Sequence, residues 1–377
     1  MSDEARIGAD GFLADVARMR AEFGGRVPSY AAVLEHVQAM LEEPRSLLGQ
    51  ALARVWSGRT FHVVYDRPLL LMAALREGAM VEGPPHPLYR AIGTDEPRAE
   101  EVSLETVRRA LAPDRVELFA TLAQRWVQTN DTLRSVVWRW PAFLAGCEAG
   151  AVPVALVDLG ASAGLNLVAE RLPAVWSDSS GVAIPVVVTA KAVARLGLDA
   201  RPVDLDVPEN VIWMRACIWP GDRGRVERLE AGLRAFFDAR REPSPPVLER
   251  MDVRGFAARL TRVSREHGGT LVLAYQSYMR DYLAPDAREA HRAAMHEWLG
   301  TVQPGRAMWA ELEVSPGAEQ RPDPTAITVH VRSDGGDVRA LEIGRTSHHP
   351  FKVAPIADAV RELESALRRW KGQAEGC

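Results

Sequence analysis

VALVDLGASAGLNL, residues 154–167, is the stretch whose reading decides the fold. Four apolar residues, Val154 to Val157, run into Asp158. Gly160 and Gly164 then stand four apart, and Leu165 and Leu167 open a new periodic segment. A β-branched apolar run, a small-residue turn and a helix form the pattern of a buried parallel strand whose chain turns sharply into a helix N-terminus. Such a turn sets backbone N–H groups beside open space, where a ligand can lie against main chain.

Before this stretch the chain reads as helices. Phe12, Val16 and Met19 make one apolar stripe; Tyr30, Val33, Leu34, Val37 and Leu41 make another, with Ser29 as N-cap and Pro44 as stop. Further helices are expected over 47–56, 68–75, 102–111 and 114–127, with a proline-rich loop over 82–97. Asn130 or Asp131 is placed to cap the next helix, which Pro141 should bend. After residue 153 the period changes. Strands are expected at 154–157, 193–198 (with 186–189 as the alternative), 247–250, 270–275 and 307–312, and 211–217 is a further apolar run. Helices are expected over 225–237, 256–263, 287–299 and 356–370. SDGGD, 333–337, joins 326–331 to 338–343 as a hairpin, since Gly-Gly supplies the positive φ of a tight turn. The expected organisation is an all-helical part, 1–150, then an α/β part, 151–377, with a doubly wound sheet and a C-terminal antiparallel hairpin. Ligands are expected beyond the carboxyl ends of its strands.

Bulk properties narrow the class. The chain has 377 residues, 47% hydrophobic and 25% charged, as soluble globular proteins do. A net charge of -4 argues against a nucleic-acid partner, which usually meets a basic stripe. No apolar run approaches the ~20 residues of a membrane span. The start, MSDEARIGAD, has no secretory h-region, so a cytoplasmic location is expected. Cys147, Cys217 and Cys377 are far apart and read as free thiols. No zinc spacing is present; His291 and His296 are five apart and do not share a helix face.

DLGASAG, 158–164, resembles the first motif of class I S-adenosylmethionine-dependent methyltransferases, and the terminal hairpin resembles the last strands of that fold. VQTNDTLRSVVWRWP (127–141), LVDLGASAGLNL (156–167), RLGLDARPVDL (195–205), ACIWPGDRGRVERL (216–229) and AYQSYMRDYL (274–283) resemble the signature blocks of an uncharacterised bacterial group, domain-of-unknown-function family 2332. The resemblance implies a methyltransferase-like (Rossmann-like) sheet and S-adenosylmethionine as cofactor. Asp158, Gly160, Ser162 and Gly164 would then hold the methionine and ribose portions, Asp199 the ribose hydroxyls and Asp252 the adenine amino group. Ser162 departs from the usual second glycine. The plainer role of Asp252 is a helix N-cap, and that of Asp199 a turn cap.

Methyl transfer is an in-line displacement in which positioning dominates, and a base is needed only where the acceptor must lose a proton. Catalytic candidates are Tyr275, Tyr278 and His348; Gln276, Glu311, Glu313 and His349 lie close by in sequence. Thr129, Asn130, Arg134, Trp219 and Tyr282 are candidates for the acceptor pocket, which the helical part would cap. The expected function is methyl transfer to a small-molecule acceptor. The alternative is a non-catalytic protein that binds S-adenosylmethionine or a nucleoside in a regulatory role. An NAD site fits less well, because the turn is GxxxG and not GxGxxG.

Overall fold

The computed structural model describes residues 9–374, apart from His62, Val64, Glu319, Gln320 and Asp334. Among the described residues no helix is long and apolar enough to cross a membrane. The N-terminal ten-residue start lies mostly outside the described residues, as does Cys377; Cys147 and Cys217 are buried and not joined in a disulfide.

The chain forms two compact units. The first comprises the segment up to Thr129 together with Leu205–Glu227, and the second comprises Asn130–Asp204 and everything from Arg228 onward. The division therefore runs through the middle of the QTN block, and a later segment of the chain returns to the helical unit.

The helical unit is built as its stripes dictate. Phe12, Val16, Met19 and Phe23 line one face of Ala9–Phe23, and Tyr30, Val33, Leu34 and Val37 line Pro28–Leu41; all are buried in one core. Pro28 starts the second helix, one residue before the expected cap, because proline suits the first helical turn. Ser46 caps Leu47–Val55 by accepting the Gly49 N–H at 3.0 Å. The expected helix over 68–75 is longer, Asp66–Glu82, and is buried nearly all round. Its Arg76 is buried and donates to the Ile92 carbonyl at 2.6 Å. The apolar run over 211–217 is a helix, Pro208–Ala216, whose Trp213 enters this same core.

The second unit holds an eight-stranded sheet of order β3-β2-β1-β4-β5-β6-β7-β8. The strands are β1 Val154–Leu159, β2 Ala192–Asp199, β3 Pro246–Arg250, β4 Leu271–Ser277, β5 Ala307–Val314, β6 Thr325–Arg332, β7 Val338–Thr346 and β8 Val353–Pro355. The first five are parallel and the last three join antiparallel in chain order. Strand β1 is buried along its whole length, and its side chains alternate between two cores. Val154 and Leu156 pack with Val136–Leu144 and Leu363 and Leu367; Ala155, Val157 and Leu159 pack with Phe256–Glu266 and Pro285–Thr301. The β6–β7 turn closes through Ser333 N–H to the Asp337 carbonyl at 2.8 Å, although Asp334 within SDGGD lies outside the described residues.

One expectation is corrected. The turn after β1 leads into a 3-10 helix, Leu165–Arg171, and not an α-helix. Trp138 takes the Asn166 carbonyl through its indole N–H at 2.9 Å, and Pro173 follows two residues after the segment ends. No long helix dipole therefore points at the turn.

Gly197 in β2 is set by packing. A Cβ there would come within 2.4 Å of Leu248 Cδ2 and 2.7 Å of Ala161 Cβ. Gly197→Ala is expected to cost about 1–3 kcal/mol by overpacking. Gly269→Ala, with nothing within 4 Å of its Cβ, is the control. Equal urea midpoints for the two variants would refute this account.

Candidate functional site at the carboxyl ends of the central strands

The strand order brings four segments to one edge of the sheet. These are the turn 160–164 after β1, the bend after β4, the end of β5, and the turn after β7, which runs parallel to β5. The segment 130–135, which precedes the helix Val136–Leu144, joins them through the contacts below.

The turn is stitched to the end of β2. Gly160 N–H donates to the Leu198 carbonyl at 2.8 Å, and Val203 N–H to the Ser162 carbonyl at 3.0 Å. The Asp199 carboxylate accepts Ser162 N–H on one oxygen at 2.8 Å and Arg201 N–H on the other at 2.7 Å. Gly160, Ser162 and Gly164 all have positive φ, at 78°, 52° and 71°. The Asp199 contact holds Ser162 in a conformation that non-glycine residues adopt only under constraint. Gly164 packs against Leu248 and Phe236, and Met279 Cγ lies 3.0 Å from where a Gly160 Cβ would be. Within the turn Gly160 is exposed and Ser162 half-buried, while Ala161, Ala163 and Gly164 are buried.

Asp158 and Tyr275 are register partners across β1 and β4, and both are buried. Burial pushes the Asp158 carboxyl up to about 8; the Tyr275 hydroxyl facing it pulls down and the Asp199 charge pushes up. Burial also holds the Tyr275 hydroxyl well above its ordinary value, and its ring stacks on Trp138 with centroids 6.2 Å apart.

Around the turn lies a polar layer. Asn130 Oδ1 meets Ala163 N–H at 3.5 Å, while its Nδ2 is buried without a partner. Asp131 caps Leu133 N–H and accepts from Arg228 Nε at 3.1 Å; its other oxygen pairs with His349 Nδ1 at 3.0 Å. The Arg134 guanidinium sits 4.2 Å above the Tyr278 ring, and its Nε is buried without a partner. Tyr278 has φ 53°, hydrogen bonds Thr325 Oγ1 at 2.8 Å, and lies 5.8 Å from the exposed His348 ring. Burial pushes its hydroxyl up to about 12.

Glu313 closes the layer from β5. One of its oxygens accepts Met279 N–H at 3.1 Å, Arg280 N–H at 3.2 Å and Gln276 Nε2 at 2.9 Å, and the other is buried without a partner. Burial pushes this carboxyl up to about 7. Gln276 is itself locked by Glu311, His291 Nε2 and Trp309 Nε1.

The sequence-named residues therefore divide. Asp158, Gly160, Ser162, Gly164, Asp199, Asn130, Arg134, Tyr275, Tyr278 and His348 gather at this edge. Asp252 is exposed and caps its own segment through Arg254 N–H at 3.1 Å, with Arg254 Nε at 2.7 Å. Tyr282 is exposed on the short segment Arg280–Tyr282. Thr129 and Trp219 belong to the helical unit, where Trp219 packs edge-on against Phe23 at 4.9 Å. Asp131, Arg228 and Met279 are additions from tertiary structure. Asp131 is legible in sequence as a cap, but its partner His349 is 218 residues away.

Asp158 and Glu313 make a pH prediction. Their raised values mean that the folded chain binds these protons more tightly than the unfolded chain. Their contribution to stability is fully present below about pH 4 and is lost as pH rises through about 7 and about 8. The urea midpoint should fall between pH 5 and pH 8.5, and fall less in Asp158→Asn and Glu313→Gln. Parallel curves for wild type and both variants would sink the assignment.

A comparison with curated proteins and one with solved structures found no match. The sequence model of a bacterial family described as "Uncharacterized protein conserved in bacteria (DUF2332)" matches residues 13–354, both units included. The chain carrying this strand-end layer is a member of the DUF2332 family.

Proposed function

We propose that this edge binds S-adenosylmethionine and that the protein transfers its methyl group to a small-molecule acceptor. The observation that carries the reading is the Asp199–Ser162 contact. It places a carboxylate from the neighbouring parallel strand against the turn after β1, where a nucleoside ribose would need an acceptor pair. The carboxylate oxygens each accept one backbone N–H and keep further lone-pair capacity. Asn130 Nδ2, beside the same turn, and Arg134 Nε, over Tyr278, are buried donors without partners, and suit the carboxylate end of the cofactor. Asp252, occupied by Arg254, contributes less support than the other acids.

The cofactor brings an already activated methyl group, so the chain's part is orientation and exclusion of water. Both tyrosines stay protonated at neutral pH and act as hydrogen-bonding walls. Glu313 is the buried carboxyl suited to taking a proton from an acceptor near neutrality. A second reading, cofactor binding without turnover, is favoured by those same protonated tyrosines, since neither serves as a base.

Calorimetry on the whole chain tests both readings. S-adenosylmethionine and its demethylated product should bind, and Asn130→Ala or Asp199→Ala should weaken binding about tenfold, near 1.4 kcal/mol, with the fold retained. A cation approaching Asp158 lowers its pKa, so binding at pH 7 should release a proton, seen as a heat that depends on buffer ionisation. If neither compound binds the folded protein, both readings fail. Binding without methyl transfer across acceptor panels would leave the second.

A further inference from the structure

At the opposite edge of the sheet, where β2 and β3 begin, lies a cavity of ≈ 520 Å³. Its wall includes Glu170, Arg171, Lys191, Arg195, Glu242 and Ser244. Arg195 and Glu170 are buried and paired, Arg195 Nη2 donating to Glu170 Oε1. That bond leaves two atoms on the same pair, Arg195 Nε and Glu170 Oε2, buried with no partner. An unfilled buried donor or acceptor costs about 1–3 kcal/mol, and more where the group is charged. One unmet donor beside one unmet acceptor is complementary to a ligand that offers both.

Two further features mark the place. The register between β1 and β2 slips from Val154↔Ala192 to Ala155↔Ala194, leaving Val193 as an extra residue in the cavity wall. Such bulges open a ladder locally and recur beside functional sites. The Val193 carbonyl is taken up by Ser244 Oγ at 3.2 Å, which fixes the bulge from across the wall. The charges also do not cancel. Three cationic side chains, Arg171, Lys191 and Arg195, stand against two carboxylates, Glu170 and Glu242. Arg171 pairs with Glu242, and Lys191 is exposed with no ion pair of its own among the described residues.

We propose that this cavity binds a small zwitterion of the amino-acid class. Its carboxylate takes the Arg195 Nε–H and faces the surplus charge of Lys191, and its ammonium donates to Glu170 Oε2. The volume lies within the range of small-molecule sites and leaves room for a side chain along Val188, Val193 and Pro243. The inference is independent of the methyltransferase reading, because it uses the other edge of the sheet.

Titration calorimetry of the full chain with the free L-amino acids, and with acetate and methylammonium separately, tests it. At least one amino acid should bind with a Kd of about 1 mM or tighter, and the two half-probes at least about tenfold more weakly. Lys191→Ala, an exposed change that keeps the fold, should weaken amino-acid binding at least about threefold. The double variant Glu170→Gln/Arg195→Gln removes both buried charges together, and binding to it should be lost. Should the double variant not fold, Lys191→Ala alone decides. Absence of amino-acid binding, or binding unaltered in Lys191→Ala, overturns the proposal.

Discussion

The carboxylate of Asp199 ties the candidate site of the second unit to its sheet. It sits at the last residue of β2 and binds the backbone of the turn that leaves β1. That contact, with the Val203 N–H on the Ser162 carbonyl, fixes Ser162 at positive φ next to Ala163, whose N–H meets Asn130. Removing one partner of a half-buried charge-assisted bond leaves its N–H uncompensated, so this acid matters to the shape of the site whatever occupies it.

From that contact the rest of the edge follows by topology. Parallel strands deliver their carboxyl ends to one side, and β7, antiparallel to β6, returns its end to that same side. His349 can therefore reach Asp131, and Tyr278 can reach both Thr325 and Arg134. The segment 347–351 is held twice: His349 pairs with Asp131, and Arg228, paired to the same Asp131, stacks on Phe351 at 5.0 Å. Glu313 is braced by Gln276, which Glu311, His291 and Trp309 also hold. A residue locked by so many donors on one oxygen is oriented, and its second oxygen is buried without a partner.

Burial separates the acids into kinds. Asp158 and Glu313 are held toward their protonated forms because burial excludes water, and for Glu313 this outweighs its hydrogen bonds and the nearby Arg280 charge. Asp252, exposed beside Arg254, is held below the usual carboxylate range by that guanidinium. Three acids that look alike as sequence positions after strands are thus chemically distinct.

Much of this was legible in the residues themselves. The apolar run Val154–Val157 and its glycines announce a buried strand and turn, because a strand covered on both faces must be apolar throughout. The stripes of residues 12–41 and the Gly-Gly hairpin were equally local signals. The turn and its acids were readable for the same reason. What the sequence did not determine is whatever depends on partners far along the chain. That Gly197 must be glycine because Leu248 lies over it is invisible without the sheet order, and so is the pairing of Asp131 with His349. The indole of Trp138 that takes a carbonyl of the 3-10 segment after the turn is likewise invisible without the fold. Local composition sets which elements can form; only tertiary packing sets which side chains then compete for the same space and the same hydrogen bonds.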